Sequence, residues 1–332
     1  MIRVFINGFG RIGRAAARII LEDENVELVG INDLYSFEQM AYLLKYDSVY
    51  PRLKNCISLN EEILTVDGKA VRLFQEPDPE KLDLSILNVD VVLQCSGMFL
   101  SVASNEPYLE NGAKRVLVSA PASDAMPTFI YGVNHHDYRG EKIVSNSSCS
   151  TNAIVPIFSI LQKHFGIASA MMSMYHSYSV YQNILDAKHH SKDIRRTRSS
   201  TQNILPLMSS AAEATAYFFP HLKGKMYAKS IRVPVPAATL YSLDVNVQKA
   251  VDSETVNTVL KEEIIKNYMG ILDFTEETGI SDDYVQNPCG AIINLPFTVV
   301  SEEKMLRISA WQDNEYGYAN QLVKLMKFVS NI

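Results

Sequence analysis

The sequence contains few cysteines, a single tryptophan and no long apolar run. Its four cysteines lie far apart and form no CxxC pair, which argues against both a disulfide framework and a zinc site. No apolar segment approaches the roughly 20 residues that a membrane span requires, and the first residues lack the basic and apolar regions of a signal peptide. We therefore expect a protein of the reducing cytoplasm with no metal site and no membrane contact.

The sequence also lacks a large excess of charge of one sign, an internal repeat and a flexible linker. Its 31 lysines and arginines and 37 aspartates and glutamates give a net charge of −6, with 47% hydrophobic and 20% charged residues. This composition is ordinary for a globular protein and argues against disorder and against a nucleic-acid-binding surface. Because 332 residues are about twice the roughly 150 of a typical domain, we expect two domains.

The two halves of the chain differ in their apolar periodicity. In the first half, short β-branched runs alternate with helical patterns, beginning with residues 2–6, 11–21 and 26–31, which is typical of βαβ units and a parallel sheet. After about residue 150, Leu243, Val245 and Val247 alternate with polar residues, and a helical pattern follows at 254–267. These patterns predict an α/β protein: a parallel-sheet domain over 1–150, then an α+β domain whose sheet is mostly antiparallel or mixed.

A glycine-rich loop follows the first apolar run. Gly8, Gly10 and Gly13 form the sequence GFGRIG at the start of a helical pattern, and Asp33 ends the next strand-like run. This order is the fingerprint of a dinucleotide-binding loop, in which helix amides face the pyrophosphate and the carboxylate accepts from a ribose hydroxyl. A carboxylate there would repel a 2′-phosphate, so we predict NAD rather than NADP. The candidate cofactor residues in this segment are Gly8, Gly10, Arg11, Ile12, Gly13 and Asp33.

Cys149 and His176 are the candidate catalytic residues. Cys149 lies where a strand ends and an apolar helical segment begins, so helix amides are expected to lower its pKa and favour the nucleophilic thiolate. His176 follows a largely apolar run and is expected at the end of a strand, where it could exchange a proton with the thiol. The adjacent His189 and His190 have no acidic or thiol partner at ligand spacing, so no metal site is predicted.

Two groups of cations suggest an anionic ligand. Residues 188–198 carry five basic side chains against one acid, Asp193, within an acidic protein. Such a run is usually a solvated loop, and it could also attract an anionic substrate. Arg232 is an isolated cation that follows a short apolar stretch and precedes two prolines. Together these guanidinium groups point to a phosphorylated ligand.

These residues belong to motifs that extend over essentially the whole chain, which resembles the phosphorylating glyceraldehyde-3-phosphate dehydrogenase family. The motifs are INGFGRIGR at the start, LKYDS at 44–48, SNSSCSTN at 145–152, RRTR at 195–198, RVP at 232–234 and WQDNEYGY at 311–318. The resemblance implies a Rossmann NAD-binding domain over 1–150, a catalytic domain over 151–313, a C-terminal helix over 314–332 that returns to the first domain, and a homotetramer.

The resemblance also implies roles for single residues. It makes Cys149 the nucleophile and His176 the base in the oxidation of a small phosphorylated aldehyde to a thioester, which inorganic phosphate then attacks to give an acyl phosphate. The cofactor cleft would be lined by Ser96 and Ser119, and Asn314 would hold the nicotinamide carboxamide. Inorganic phosphate would contact Ser148, Thr151 and Arg198, and Arg232 would hold the phosphate of the substrate. The further substrate or phosphate candidates are Ser150, Ser179, Ser209 and Ser210.

The chain departs from the family pattern near the anion sites. Ser209 and Ser210 replace a usual Thr-Gly pair, and Tyr181 replaces a usual aspartate. The related erythrose-4-phosphate dehydrogenases, which use water as the acyl acceptor, also lack that Thr-Gly pair. Glyceraldehyde 3-phosphate is therefore the favoured substrate and erythrose 4-phosphate the alternative. A third hypothesis is an NAD-binding interaction protein that has lost efficient chemistry.

Overall fold

The computed structural model describes residues 1–331. Its helices are α1 (Arg11–Leu21), α2 (Phe37–Lys45), α3 (Val102–Glu110), α4 (Cys149–His164), α5 (Ala211–Phe218), α6 (Ser253–Asn267) and α7 (Tyr316–Ser330). Its strands are β1 (Ile2–Asn7), β2 (Val26–Asn32), β3 (Ile57–Asn60), β4 (Ile63–Val66), β5 (Lys69–Phe74), β6 (Val91–Gln94), β7 (Arg115–Val118), β8 (Ile143–Ser145), β9 (Ile167–Ser177), β10 (Leu205–Met208), β11 (Met226–Val233), β12 (Thr239–Val247), β13 (Leu272–Thr275), β14 (Ala291–Asn294), β15 (Val299–Ser301) and β16 (Met305–Gln312).

The chain divides into two compact units. The first comprises Met1–Ser148 and the described residues from Tyr318 onward, and the second comprises Cys149–Gly317. The sequence placed these divisions after residues 150 and 313, and the structure places them after residues 148 and 317. None of the helices in the described part of the chain is both long and apolar enough to cross a membrane.

The first unit is built on a sheet with the order β3-β4-β5-β2-β1-β6-β7-β8. The six strands from β5 to β8 in this order are parallel, and β3 and β4 extend the sheet as an antiparallel edge. The predicted parallel sheet is confirmed, and its strand order is that of a dinucleotide-binding fold. Apolar residues of β1, α1 and α7 form one core cluster, to which α7 contributes Leu322, Val323 and Met326.

The second unit contains a mixed sheet with the order β10-β11-β9-β12-β16-β14-β13, and β15 pairs with β16. The alternation predicted for residues 243–248 is confirmed, since Leu243, Val245 and Val247 are buried on one face of β12. The predicted helix at 254–267 is α6. The fold class expected from the sequence, a parallel-sheet domain followed by a mixed-sheet domain, is therefore confirmed.

A buried carboxylate joins the end of α4 to α6. Glu263 Oε1 accepts hydrogen bonds from Lys163 Nζ at 2.5 Å and from His164 Nε2 at 2.7 Å, and Oε2 accepts from Asn267 Nδ2 at 2.7 Å. The bond from Lys163, followed by those from His164 and Asn267, lowers the pKa of Glu263 to about 2 although burial opposes the shift. The ionised carboxylate therefore stabilises the packing of α4 on α6.

We predict that Glu263→Gln lowers the stability of the protein near neutral pH by about 1–2 kcal/mol, because it removes the charge that Lys163 and His164 contact. A carboxyl group with a folded pKa below its unfolded value stabilises above about pH 4.5 and loses that contribution as the pH falls towards 2. Urea unfolding of parent and variant should therefore differ near pH 7 and converge in acid. A difference that stayed constant down to about pH 3 would contradict this account.

Candidate active site

The glycine loop between β1 and α1 depends on two of its glycines for its own packing. Gly8 has a φ of 95°, and a Cβ at this position would lie 2.3 Å from Ser96 N. A Cβ on Gly13 would lie 2.1 Å from Gly8 O. Around Gly10 the space is open, because no atom would lie within 4 Å of a Cβ at this position. Gly8 and Gly13 are therefore needed for the fold of the loop, whereas Gly10 leaves room beside the backbone.

Asp33 follows β2 directly and lies beside this loop. Its Oδ2 accepts a hydrogen bond from Phe9 N at 2.5 Å, and its Oδ1 accepts from Leu34 N at 2.7 Å. Arg11, the first residue of α1, forms an ion pair with Asp47 of the LKYDS segment. Ile12 packs against the apolar core of the unit. Two of the predicted cofactor residues in this segment, Arg11 and Ile12, thus contact other side chains of the same unit.

A polar network that the sequence reasoning missed joins the carboxyl ends of three parallel strands. Asn32 Nδ2 donates to Asn7 Oδ1 at 2.7 Å, and Asn7 Nδ2 donates to Gln94 Oε1 at 3.1 Å. Ser96 Oγ also donates to Gln94 Oε1, at 2.8 Å, and Ser119 N donates to Gln94 O at 3.0 Å. The signal that could have found it is a polar residue at the last position of β1, β2 and β6. The predicted residues Ser96 and Ser119 are held at this edge of the sheet by Gln94.

Cys149 and His176 are brought together as predicted from the sequence. Cys149 is the first residue of α4 and His176 is the next-to-last residue of β9. Cys149 Sγ lies 3.8 Å from His176 Nε2, within the range of a sulfur hydrogen bond. His176 is buried, with 6% of its surface exposed, whereas Cys149 is partly exposed and so is open to a ligand. The arrangement places a group that can accept a proton beside a thiol that can act as a nucleophile.

Four side chains of the second sheet lie in one row around His176. Arg232 on β11 is in register with His176 on β9, which is in register with Thr239 on β12, and Thr239 is in register with Gln312 on β16. Arg232 and Thr239 therefore flank His176 on neighbouring strands. Because β9 pairs with a strand on each side, the backbone hydrogen bonds of the sheet fix the position of the His176 backbone, from which the imidazole extends.

Two groups with opposite requirements contact Nδ1 of His176. The carbonyl oxygen of Ser177 lies 2.8 Å from Nδ1 and can only accept, so it favours the tautomer that leaves the Nε2 lone pair towards Sγ. Arg232 Nη1 lies 2.6 Å from Nδ1 and can only donate, so it favours the other tautomer. Burial and the positive charge of Arg232 lower the pKa of His176 to about 3, against the effect of the Ser177 bond. The imidazole is therefore neutral at rest.

The pKa of Cys149 differs from the sequence-based prediction. Burial raises the pKa of the thiol above its usual value, although the charge of Arg232 and the bonds with Ser150 and the helix amides lower it. The amides of the helix start act in the predicted direction, but the loss of hydration outweighs them. The net shift in the pKa of Cys149 is therefore opposite to the direction predicted from the sequence.

The other predicted substrate residues occupy different surroundings. Ser148 directly precedes α4, and Ser150 and Thr151 are buried in its first turn. Ser179 Oγ donates to Gln182 Oε1 at 3.0 Å. The Asn314 side chain is buried, and its Oδ1 accepts from Ser177 Oγ at 3.0 Å, which joins it to the residue after the candidate base.

Three predicted phosphate residues are not joined to Cys149 or His176. Arg198 is exposed and forms an ion pair with Asp186 at 2.7 Å. Ser209 Oγ accepts from Ala211 N at 3.2 Å, and Ser210 precedes α5 directly. Among the residues from 1 to 331, neither a hydrogen bond nor an ion pair links these three side chains to the thiol or the imidazole. Their predicted role in binding phosphate stays a prediction.

Comparison with known proteins assigns the chain to a family. The model of the glyceraldehyde 3-phosphate dehydrogenase NAD-binding domain matches residues 2–102, and the model of the C-terminal domain of the same family matches residues 148–314. The chain is 42% identical to glyceraldehyde-3-phosphate dehydrogenase 2 of Streptomyces avermitilis, over 99% of both chains. It is 40% identical to glyceraldehyde-3-phosphate dehydrogenase of Priestia megaterium, over 99% of this chain and 98% of the relative. The chain belongs to the glyceraldehyde-3-phosphate dehydrogenase family.

The glycine loop of this glyceraldehyde-3-phosphate dehydrogenase family member fits NAD, the cofactor that the matched domain binds. The open space at Gly10 allows a pyrophosphate to approach the backbone, and α1 starts there without a side-chain cap or an acidic residue in its first turn. Its first amides therefore face a site that favours an anion. The Asp33 carboxylate beside the loop is an acceptor of the kind that a ribose hydroxyl requires.

We predict that Gly10→Ala and Gly13→Ala affect different properties. The methyl group at Gly10 meets open space, so the thermal midpoint should stay unchanged while NAD affinity falls by about tenfold or more. The methyl group at Gly13 collides with Gly8 O, which should lower stability by about 1–3 kcal/mol. Differential scanning fluorimetry and NAD titration separate the two effects. Parent-like NAD binding by folded Gly10→Ala would show that the pyrophosphate lies elsewhere.

Proposed function

We propose that the protein oxidises glyceraldehyde 3-phosphate to 1,3-bisphosphoglycerate with NAD and inorganic phosphate. The observation that carries this proposal is the 3.8 Å separation of Cys149 Sγ and His176 Nε2 at the start of a helix. Membership of the family supplies the class of reaction, NAD-dependent aldehyde oxidation. The relatives described above bear the name glyceraldehyde-3-phosphate dehydrogenase, which favours this substrate over erythrose 4-phosphate.

The pKa shifts of Cys149 and His176 both favour the uncharged form of the group, and this determines how the first step proceeds. Sγ attacks the aldehyde carbon as His176 Nε2 takes the thiol proton, so that a C–S bond forms without a preformed thiolate. The resulting hemithioacetal oxygen is held by the Cys149 amide and by the protonated imidazole. NAD, when bound, would supply the oxidising power as the acceptor of the hydride that leaves the same carbon. The product that remains on Cys149 is a thioester, which can transfer its acyl group to phosphate.

The remaining predicted residues act by binding. Gly8, Gly10, Gly13 and Asp33 would hold the pyrophosphate and ribose of NAD. Asn314 would hold the nicotinamide carboxamide: the bond from Ser177 Oγ occupies Oδ1, which leaves Nδ2 to serve as the donor.

Two clusters would hold the two phosphate groups. Arg232, whose side chain contacts the candidate base, would bind the phosphate of the substrate, and Ser179 lies two residues beyond the end of β9. Ser148, Ser150 and Thr151 at the start of α4 would receive inorganic phosphate, since helix amides there favour an anion. Arg198, Ser209 and Ser210 would complete that site on binding, when Arg198 exchanges Asp186 for the anion.

We also propose a homotetramer located in the cytoplasm. An exposed apolar strip on adjacent strands supports assembly: Met171 on β9 is in register with Tyr227 on β11, and both are more than 60% exposed. Met208 on the neighbouring β10 is 83% exposed. Four free cysteines fit a reducing compartment. Burying such a strip against another copy would remove apolar surface from water.

We predict that the purified protein reduces NAD with glyceraldehyde 3-phosphate at least tenfold faster than with erythrose 4-phosphate, and that turnover requires inorganic phosphate. Cys149→Ser should abolish both reactions, because an alcohol is a far weaker nucleophile than a thiol at neutral pH. The assay follows NADH absorbance with each aldehyde, with and without phosphate. Turnover of glyceraldehyde 3-phosphate that is indifferent to phosphate would exclude phosphate as the acyl acceptor.

We predict that His176→Asn slows the first burst of NADH by about 10²- to 10⁴-fold, because the thiol loses its proton acceptor. The affinity for NAD should not change. In the parent, alkylation of Cys149 by iodoacetamide should rise with pH across the neutral range, since burial raises the pKa of the thiol and His176 is uncharged. An alkylation rate that is already level from about pH 5 upward would indicate a preformed thiolate instead.

A further inference from the structure

Two buried polar side chains, Tyr241 and Gln312, are joined by hydrogen bonds to the first residue of α4. Tyr241 lies on β12 and Gln312 at the end of β16, and both are fully buried. The Tyr241 hydroxyl donates to Gln312 Oε1 at 2.7 Å, and Gln312 Nε2 donates to the carbonyl oxygen of Cys149 at 3.0 Å. A chain of two hydrogen bonds therefore runs from the sheet to the backbone of the candidate nucleophile.

The chemistry of these groups permits only one orientation of the Gln312 amide. The Cys149 carbonyl can only accept a hydrogen bond, so the amide nitrogen must face it. The opposite orientation would place two acceptor oxygens against each other in a buried site. Because Oε1 then faces Tyr241, the phenol is the group that donates to it. Tyr241 thus fixes the amide that holds Cys149.

The contact joins the nucleophile to the sheet that carries the base. His176 and Gln312 lie in one row of the sheet, separated by Thr239 on β12. The bond from Gln312 ties the first turn of α4 to that row, whereas the apolar contacts beneath the helix have no preferred direction. Ser150, the next residue of α4, lies close enough to both the Cys149 thiol and the Tyr241 phenol to lower the pKa of each.

We propose that Tyr241 and Gln312 are positioning residues that hold Cys149 Sγ within reach of His176, a role that rests on the proposed function for its effect on catalysis. Tyr241 acts through Gln312, and Gln312 acts through the backbone of Cys149. Neither residue supplies a proton to the reacting atoms. Burying two polar side chains at this point costs desolvation, and their last bond ends on the nucleophile rather than on a neighbouring strand.

The test compares Tyr241→Phe, Gln312→Met and the double variant. Gln312→Met removes the directed bond to Cys149, and Tyr241→Phe removes the bond that orients the Gln312 amide. Each should therefore slow iodoacetamide alkylation and the NADH burst by about tenfold, while NAD affinity stays unchanged. If Tyr241 acts only through Gln312, the double variant should be slowed by the same factor and not by the product of two factors. The double variant removes both members of the bond between Tyr241 and Gln312 at once, so neither polar group is left facing an apolar replacement of the other, and it should fold even where a single variant does not.

Tyr268→Phe is the matched control. It removes a phenol hydroxyl that bonds with Ser159, ten residues further along α4, and should lower stability without changing alkylation. Tyr241→Phe with parent rates, or rates in the double variant that multiply, would overturn the proposal, as would equal slowing by Tyr268→Phe. Alkylation needs no substrate, so a parent that failed to oxidise glyceraldehyde 3-phosphate would reject the proposed function while the alkylation rates still tested the positioning role.

Discussion

The separation of Cys149 Sγ and His176 Nε2 is the constraint on which the second unit's chemistry depends. The sulfur comes from the start of a helix and the nitrogen from the end of a strand, so their distance is set by how α4 packs on the sheet. Apolar packing tolerates small shifts because it has no direction, whereas proton transfer does not. A directed bond, such as that from Gln312 to the Cys149 carbonyl, is what can reduce this freedom.

Burial acts on both members of the pair in the direction that opposes charge. It raises the pKa of the Cys149 thiol and lowers that of the His176 imidazole, so it disfavours the charged form of each group. Arg232 has opposite effects on the two groups, because its positive charge favours a thiolate and disfavours an imidazolium. The same guanidinium thus makes the sulfur easier and the nitrogen harder to ionise. In the reaction proposed above, proton transfer between them is then best coupled to attack on the substrate.

The features that could be predicted from the sequence are those whose signals are local. The GFGRIG loop, the alternation along β12 and the helical start at Cys149 each depend on residues within a few positions of one another. The helix-amide effect on Cys149 was also a local argument. The amides do lower the pKa of the thiol, but burial, which is produced by residues distant in the chain, outweighs them. The residues next to Cys149 in the sequence do not show how far folding removes the thiol from water.

The features that the sequence could not provide depend on strand order. Tyr241 and Gln312 are 71 residues apart and are neighbours only because β12 pairs with β16. Asn7 and Gln94 are 87 residues apart and meet because β1 pairs with β6. In one sequence, a buried tyrosine and a glutamine at strand positions look like ordinary sheet residues. Their roles emerge only when the register brings their polar atoms within hydrogen-bonding distance of each other.

The glycine loop separates the requirements of folding from those of binding. Gly8 and Gly13 leave no room for a side chain because the protein's own backbone occupies that space. Gly10 leaves room that the protein does not use, at the start of a helix with no side-chain cap. A glycine that folding does not require, at the start of a helix without a side-chain cap, is explained most simply by a ligand that must approach the backbone. Two of the three glycines in this motif are therefore required by the packing of the loop itself, and only Gly10 is explained by the approach of a ligand.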